Sequence, residues 1–523
     1  MASLSLPSRA MAFFSGGVGL GVKLALLALM NAVVLWAAVI LVGDEKWVAL
    51  GALLAATALI DAIYLLPGTR SLPAKFLIPG TVFLVAWQVV PIAYTINVAF
   101  TNYSTGHVLN KQEAIQEIEG RSLAEAPDSS SYVMTPARDE DGNLVLLLLN
   151  EDTNEAYVGD REGLEPLPAG AAQIEDGFIT GAEGYQAIEG AALLGIDRQL
   201  QTYTVPTTGE RAIRPEGLEV AIEVVPTLRY DAGRDVFTSV EDGTVYRDNG
   251  AGSYAPTSGE PLEPGWKTYI GFENFTRVVD DPLIRDPFIR VFIWTIVFAS
   301  VTVFLSFAVG LFLAITLQKQ FRGQRFYRTV LVIPWAIPAF LMLLVWGGLL
   351  NDDFGVVNRL LPDVLEQPWL FDGFWAKVSI LMVSVWMTFP YFFLVSLGAL
   401  QSIPGELVEA ARVDGAAAWQ VFRRITLPLL LVAVAPLLIA SFAFNFNNFN
   451  SIYLLTGGGP PDEQGSVAGA TDILISYTYK IAIESGRGQD YALAATISLF
   501  IFVLVATISA VGFWRTASLE NVR

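Results

Sequence analysis

The sequence has no cysteine and a single histidine among its 523 residues. The absence of cysteine excludes disulfide frameworks, thiolate metal sites and cysteine nucleophiles, and one histidine, His107, is too few for the common zinc and acid–base sites. No Gly-Lys dipeptide occurs either, so the chain lacks the glycine-rich loop with which many enzymes hold nucleotide phosphates. We therefore predict a chain without catalytic residues, bound metal or cofactor of its own.

Charged residues are also scarce, at 16% of the chain against 53% hydrophobic residues, and the mean hydropathy is +0.49. Such a composition is too apolar for a soluble protein of this length. The net charge of −19 comes from one stretch, because 13 basic and 33 acidic residues lie between positions 101 and 285. The rest of the chain is close to neutral. An acidic segment of this kind does not favour nucleic acid as a partner.

Eight apolar stretches are long enough to cross a bilayer as helices, since about 20 residues span its hydrocarbon core. The predicted spans are 24–43, 47–67, 76–100, 288–317, 329–350, 378–400, 425–455 and 491–514. We predict that the first of them remains as an uncleaved helix. The fold class expected from these runs is an α-helical polytopic membrane protein that contacts membrane lipid.

Basic residues cluster in alternate connections, which is typical of cytoplasmic loops. Arg322, Arg325 and Arg328 precede the fifth span, and Arg423 and Arg424 precede the seventh. This pattern predicts that both termini lie in the cytoplasm. The predicted domains are three N-terminal transmembrane helices at 1–100, an external domain at 101–287, and a core of five transmembrane helices at 288–523.

The 101–287 segment is predicted to be a β-rich domain inserted between the third and fourth helices. Its alternating and β-branched runs, such as Leu144–Leu149 and Leu218–Val225, are separated by Gly, Asp, Asn and Pro. About 185 residues are enough to bury a core. Two roles are open for its acidic surface, which are solubility outside the membrane and docking of another protein.

The segment 402–428 connects the sixth and seventh spans and is predicted to lie on the cytoplasmic side. Leu407, Ala410 and Ala411 share one helical face; Ser402 with Pro404 can begin the helix, and Gly415 can end it in the left-handed conformation. The pattern predicts a helix–glycine–helix loop. By periodicity alone, an amphipathic connector in the membrane interface fits equally well.

The Glu-Ala-Ala run at 409–411, followed by Gly415 and later by Pro428, resembles the EAA loop of permease subunits in ATP-binding-cassette (ABC) importers. In that family the loop is a coupling helix that sits in a cleft of the ATPase subunit. The resemblance implies that ATP and Mg²⁺ are bound by a partner ATPase. The residues implied to dock on it are Glu409, Ala410, Ala411 and Gly415.

Further stretches resemble the MalF-type permease subunits of maltose/maltodextrin ABC importers. They are Ile78–Gly80, Ala99–Ser104, Gly271–Phe275, Phe389–Tyr391, Ser441–Phe449 and Gly457–Pro460. The resemblance implies an inner-membrane permease that imports such sugars by alternating access, with an immunoglobulin-like external domain. It also implies three protein partners, which are a second permease of the MalG type, an ATPase dimer of the MalK type and an extracytoplasmic sugar-binding protein.

The seventh span contains polar residues at membrane depth, where an unpaired amide is costly and polar side chains often have a function. At 100° per residue, Ser441, Phe444, Asn445 and Asn448 fall within an arc of about 100°. A hydroxyl, two amides and an aromatic ring on one face suit the hydroxyls and the C–H surface of a sugar. Hydrogen bonds between helices are the alternative use of such residues.

Asn447 and Asn450 point elsewhere on the same helical wheel, so we assign them to contacts between helices. For the other four residues the resemblance to the MalF-type subunit implies sugar binding, and it adds Tyr391. The sugar itself stays open, because Met387 and Thr388 stand where the maltose permeases have a Leu-Gly pair. Another di- or oligosaccharide such as trehalose is the alternative substrate.

Two other classes of membrane protein remain as alternatives. An ion-coupled secondary transporter needs carboxylates inside the membrane, and Asp61 alone sits well inside a predicted span. A lone aspartate there is more often paired structurally or close to the interface. A receptor that does not transport would leave the 402–428 loop without a role.

Overall fold

The computed structural model describes residues 17–65, 72–168, 170–175, 177–188, 190–200, 203–209, 211–318, 321–362, 366–461, 467–484 and 488–520. Within them, seven helices are long and apolar enough to cross a membrane, or eight if one bent pair counts as a span. The seven are Gly19–Gly43, Trp47–Leu65, Pro73–Ala99, Pro282–Thr316, Gly373–Ser402, Ala418–Phe446 and Tyr491–Trp514. The predicted polytopic α-helical class is confirmed.

The chain divides into two compact units, Met1–Tyr94 and Thr95–Arg523. In the first unit the helices Gly17–Gly43 and Trp47–Leu65 pack against each other. Asn31 Nδ2 donates hydrogen bonds to both carboxylate oxygens of Asp61, at 3.1 and 3.2 Å. This contact confirms that Asp61 is paired structurally, which weakens the ion-coupled alternative.

Strands fill the middle of the chain, so the prediction of a β-rich segment is also confirmed. They are β1 Leu123–Glu125, β2 Ser131–Arg138, β3 Leu144–Asn150, β4 Ala156–Gly159, β5 Leu164–Pro166, β6 Ala172–Glu175, β7 Phe178–Ala182, β8 Gln186–Ala187, β9 Val205–Pro206, β10 Ala212–Pro215, β11 Val220–Pro226, β12 Leu228–Asp231, β13 Val236–Ser239, β14 Val245–Asp248 and β15 Tyr254–Ala255. Two helices accompany them, at Lys111–Arg121 and Ala191–Leu200. The immunoglobulin-like comparison stays a prediction.

Nine of the described strands form the largest sheet, which is antiparallel and contains the path β5-β4-β3-β2-β11-β10-β9. The apolar run of β3 is buried on both faces of this sheet. Leu146 and Leu148 pack with Ile196 of the Ala191–Leu200 helix, whereas Leu147 and its neighbours on the other face pack with Ile179 of β7. Successive strand residues point to opposite faces, so a strand covered on both sides needs a continuous apolar sequence.

A second sheet, β12-β13-β14-β15, packs against the Lys111–Arg121 helix. Asp235 joins the two, because its carboxylate accepts hydrogen bonds from Lys111 Nζ at 2.6 Å, from Tyr230 at 2.8 Å and from the Tyr254 hydroxyl. The Lys111 hydrogen bond is the largest reason that the pKa of Asp235 falls to about 2. The ionised carboxylate therefore holds helix and sheet together.

Two membrane helices approach very closely in the second unit. The helix Pro282–Thr316 crosses the helix Gly373–Ser402 at Gly310, where an added Cβ would lie 2.6 Å from the backbone nitrogen of Phe393. Only glycine permits this approach, and small residues at crossings are typical of membrane helix pairs. The tight contact at this crossing holds the backbone near Tyr391, which lies two residues before Phe393.

The fifth predicted span, 329–350, is bent, as expected from Pro334 and Pro338 inside it, because proline removes a helix hydrogen bond. Helices Gln324–Ala336 and Ala339–Leu349 meet at a bend of 92°. Ile337, before Pro338, has φ −88° and ψ 138°, because the proline ring disfavours the helical conformation of the residue in front of it.

A buried polar turn follows the short helix Phe449–Thr456 and leads to the last helix. Its centre is Asp472, whose side chain is fully buried. The carboxylate accepts hydrogen bonds of 2.7–2.8 Å from the Gly469 backbone amide, Ser476 Oγ and Lys480 Nζ. Trp294 Nε1 donates to the Thr471 carbonyl at 3.2 Å, which ties the turn to the Pro282–Thr316 helix. Other short helices are Glu273–Asp280, Val356–Leu360 and Leu474–Tyr479.

Candidate functional site

The polar end of the seventh span is where the chain leaves the helix. The helix Leu427–Phe446 ends there, and a new helix begins at Phe449. Asn448 caps this second helix, since its side-chain oxygen accepts a hydrogen bond from the Ser451 amide at 3.3 Å. The prediction of one continuous helix over 425–455 is therefore wrong, and Asn448 does not share a helical face with Ser441.

Asn445 is the most unusual residue of this group. Its side chain is 1% exposed, and its Nδ2 donates to the Ser441 carbonyl at 2.9 Å. Its Oδ1 is buried without a hydrogen-bond partner in the described part of the chain. A buried acceptor left unpaired costs about 1–3 kcal/mol, so in native proteins such an atom calls for a partner such as a water molecule or a ligand.

Phe444 points in another direction from Asn445, as expected for adjacent helical residues. Its ring is 69% exposed on this chain. Asn447 is also exposed and donates to the Ala443 carbonyl at 3.3 Å, within its own helix. The structure thus brings Ser441 and Asn445 into contact and leaves the Phe444 ring open to other molecules.

Tyr391 lies on the neighbouring helix Gly373–Ser402, directly after Pro390. Its ring centroid is 6.3 Å from that of Trp335 and 5.2 Å from that of Phe392. Trp335 comes just before the 92° bend of the fifth span and is 55% exposed. Sequence reasoning missed Trp335, although the two prolines that flank it, Pro334 and Pro338, were a signal of broken helix beside it.

The 402–428 loop forms the predicted helix–glycine–helix. Gly415 has φ +83°, which confirms the left-handed turn at the end of the helix Gly405–Val413. The prediction for its beginning needs correction in one residue. Pro404 is the residue that precedes the helix, whereas Ser402 ends the previous helix and donates to the Ala399 carbonyl at 2.8 Å.

The surface of this loop is open and partly apolar. Glu409, Ala410 and Gly415 are exposed, and Ala411 is half-buried. Val413 is 87% exposed and Trp419 is 66% exposed on either side of the glycine turn. Apolar side chains exposed on both sides of a rigid turn are typical of a surface that another protein covers.

The described chain is thus a polytopic helical membrane protein with an open aromatic ring and an exposed, partly apolar loop. Two family profiles identify its class as a membrane subunit of a transport system. Residues 306–519 match the family described as "Binding-protein-dependent transport system inner membrane component". Residues 82–162 match "N-terminal of TM subunit in PBP-dependent ABC transporters".

Curated relatives cover most of the chain. The "Maltose/maltodextrin transport system permease protein MalF" of Escherichia coli O157:H7 is 37% identical over 452 residues, which are 82% of this chain and 83% of the relative. The protein of the same name from Vibrio parahaemolyticus is 37% identical over 442 residues, 82% of each chain. The chain therefore belongs to the MalF family of ABC importer permeases, and it is a non-catalytic membrane subunit.

Among solved structures, a "bacterial ABC transporter involved in the import of the acidic polysaccharide alginate" aligns with a TM-score of 0.40 and 23% identity. The alignment covers 48% of this chain and 84% of that chain. This similarity is too low to add to the family assignment.

Proposed function

We propose that this chain is the permease subunit of an importer that moves maltose and maltodextrins inward, driven by ATP hydrolysis on a partner ATPase. Membership in the MalF family, at 37% identity over 82% of the chain, is the observation that carries this proposal. ATP and Mg²⁺ are bound by the partner. Both termini and the 402–428 loop lie in the cytoplasm, as the basic residues around Arg322 and Arg423 favour.

The coupling surface is formed by Glu409, Ala410, Ala411 and Gly415. Glu409, Ala410 and Gly415 are exposed, with Ala411 half-buried beside them, so the surface is accessible to a MalK-type ATPase dimer. The small alanines allow close approach, and Glu409 can pair with a basic side chain across the interface. The left-handed turn at Gly415 fixes the angle between the two helices of the loop, so a push on the first helix is transmitted to the Ala418–Phe446 span.

The sugar pathway is formed by Ser441, Phe444, Asn445 and Asn448, together with Tyr391. Support comes from the unpaired Oδ1 of Asn445, which can accept a hydrogen bond from a sugar hydroxyl. Support also comes from the open ring of Phe444, which can stack on the apolar C–H face of a sugar. Because the helix ends at Asn447, these residues lie at a point where the backbone direction changes, as at other membrane binding sites.

The remaining partners follow from the same proposal. A MalG-type permease completes the pathway that the open ring of Phe444 faces. An extracytoplasmic sugar-binding protein docks on the external side, where a surplus of acidic residues keeps the β-rich segment soluble, and releases the sugar into the pathway. The cavity then opens alternately to the two sides of the membrane.

The test is sugar-stimulated ATPase activity and transport by the full complex in liposomes, with and without binding protein and maltose. Asn445→Ala should lose transport while the complex stays assembled, and Asn450→Ala, at an exposed asparagine of the next helix, is the matched control. Glu409→Lys should uncouple or release the ATPase, with Glu406→Lys on the same exposed helix as its control.

Each outcome has a distinct meaning. Normal transport by Asn445→Ala refutes the proposed sugar site. Failure of the wild-type chain to recruit any ATPase refutes the importer itself. Transport of trehalose in preference to maltose replaces the substrate and leaves the rest of the proposal intact.

A further inference from the structure

The short helix Glu273–Asp280 joins the β-rich segment to the membrane helix Pro282–Thr316. Asp281 separates the two helices, because it has φ −81° and ψ 111° and its carboxylate accepts a hydrogen bond from the Leu283 amide at 2.9 Å. The short helix is therefore an element of its own and not the first turns of the membrane helix. Nothing in the proposed transport mechanism uses it.

The Glu273–Asp280 helix is tied to the ends of three membrane helices. Asn274, which is 1% exposed, donates from Nδ2 to the carbonyl of Ala99 at 3.0 Å, where the third membrane helix ends. Arg277 pairs with Asp490 at 3.2 Å, directly before the last membrane helix begins. The third link is the direct connection to the Pro282–Thr316 helix. The short helix therefore lies at the membrane surface, on the side that carries the β-rich segment.

The exposed side of this helix is divided into an apolar edge and a polar edge. At 100° per residue, Phe272 and Val279 lie within about 20° of each other. Their side chains are 67% and 58% exposed. The neighbouring polar edge is also exposed and consists of Thr276, Asp280 and Glu273. A helix of this kind at a membrane surface can place its apolar edge in lipid and its polar edge in water.

Tyr269 adds to the apolar surface at the same level. Its side chain is 65% exposed, and its hydroxyl accepts a hydrogen bond from Asn97 Nδ2 at 2.6 Å, near the end of the third membrane helix. Tyrosine is enriched at the membrane–water interface, because its ring is apolar and its hydroxyl forms hydrogen bonds. The exposed ring of Tyr269 therefore suits the same environment as Phe272 and Val279.

We propose that the Glu273–Asp280 helix is an interfacial anchor that inserts into the surface of the bilayer. Phe272 and Val279 lie among the lipid headgroups and first methylene groups, and Glu273 and Asp280 stay in water. The bilayer is the occupant that the contacts favour, because the links to the three membrane helices fix the helix at this level. A boundary between lipid and water also suits a surface that is apolar on one edge and acidic on the other.

The anchor restrains the base of the β-rich segment. Thr101 and Tyr269 form an antiparallel bridge, and Asn102 Nδ2 donates to the Trp266 carbonyl at 2.9 Å. The chain thus enters and leaves the segment through two strands of backbone that are joined beside the anchor. Insertion of the helix into the bilayer therefore holds both connections, and this role does not depend on the identity of the transported sugar.

The test uses the absence of cysteine in this chain, which allows a single fluorescent label. Val279→Cys is labelled with bimane in the full complex, whose partner subunits have their cysteines replaced by serine, and the complex is placed in liposomes. Brominated phosphatidylcholine is the quencher in the lipid, and iodide is the quencher in the water. Glu273→Cys, on the polar edge of the same helix, is the matched control.

Quenching by the brominated lipid at position 279 should be at least about threefold stronger than at position 273, because the apolar face of an interfacial helix lies about 5–10 Å into the headgroup boundary. Iodide should give the reverse order. Phe272→Cys provides a second label on the apolar edge and should behave like Val279→Cys, so the result does not depend on one variant.

Equal quenching by iodide at positions 273 and 279, with little quenching by the lipid, would place the helix in water and overturn the proposal. No quenching by either agent at position 279 would show that a protein partner covers the apolar edge, which also overturns it. Sugar transport is measured in the same liposomes. A complex with the expected quenching but without transport would count against the proposed function alone.

Discussion

Replacement of Gly310 by alanine should destabilise the crossing of the Pro282–Thr316 and Gly373–Ser402 helices. The added Cβ would lie 2.6 Å from Phe393 N and 2.8 Å from Phe392 C, whereas ordinary contacts begin at 3.4 Å. Both neighbours are backbone atoms, which cannot rotate away. The two helices must therefore separate by about 0.8 Å or strain locally, and overpacking of this kind costs about 1–3 kcal/mol.

Gly398→Ala is the matched control for this variant. Gly398 lies on the second of the same two helices, and an added Cβ there meets nothing within 4 Å. Both substitutions gain helix propensity of up to about 1 kcal/mol, so the difference between the variants isolates the overpacking.

The assay is equilibrium unfolding of the purified full chain in mixed micelles by titration with dodecyl sulfate, followed by circular dichroism. Gly310→Ala should unfold at lower dodecyl sulfate than wild type, and Gly398→Ala at the same concentration or higher. Coincident curves for the two variants would refute the close helix contact. Transport should also fall in Gly310→Ala alone, because Tyr391 lies two residues from the displaced Phe393.

Three further predictions concern other parts of the chain. Lys480→Met should lower the free energy of unfolding by about 3–5 kcal/mol, because it leaves the buried Asp472 carboxylate without its cation. Adding Asp472→Asn should recover much of this stability in thermal unfolding, and no recovery would contradict the ion pair. The pKa of Asp235 is about 2 in the folded chain, below its ordinary 3.8, so its contribution to stability is full above about pH 4 and is lost as the pH falls toward 2. Asp235→Asn should flatten the dependence of the unfolding temperature on pH in that window. An unchanged slope would mean that other titratable groups cause the pH dependence. Gly415 has φ +83° and open space around it, so Gly415→Ala should strain only the backbone, at a cost of about 1–2 kcal/mol, and should weaken co-purification of the ATPase. Gly405→Ala, at an exposed position without a positive φ, should leave co-purification unchanged.

The errors of sequence reasoning at the candidate site share one cause. The helical wheel placed Asn448 beside Ser441 because it assumed an unbroken helix over 425–455. Asparagine side chains compete with the backbone for hydrogen bonds and so favour caps, and here Asn448 begins a new helix. The run of asparagines was itself a signal of a break, just as Pro338 predicts the bend of the fifth span.

The sequence by itself determined the features that depend on neighbouring residues. Apolar length sets the membrane spans, because lipid offers no partner for unpaired backbone groups. The left-handed turn at Gly415 is local, since a glycine without Cβ makes it at no steric cost. The family was also readable, because the Glu-Ala-Ala run and Gly415 lie close together in the chain and the MalF-type resemblance is carried by short local stretches such as Ser441–Phe449.

Tertiary structure alone decided which side chains lack partners and which backbones touch. Packing between helices decides three features of this kind. They are the burial of Asn445 with an unpaired Oδ1, the contact of Gly310 with Phe393, and the hydrogen bond of Asn274 to the Ala99 carbonyl. Periodicity gives the face of a helix but not the neighbour that the face meets. Close packing between distant segments makes that choice, and it does so through contacts that no local pattern encodes.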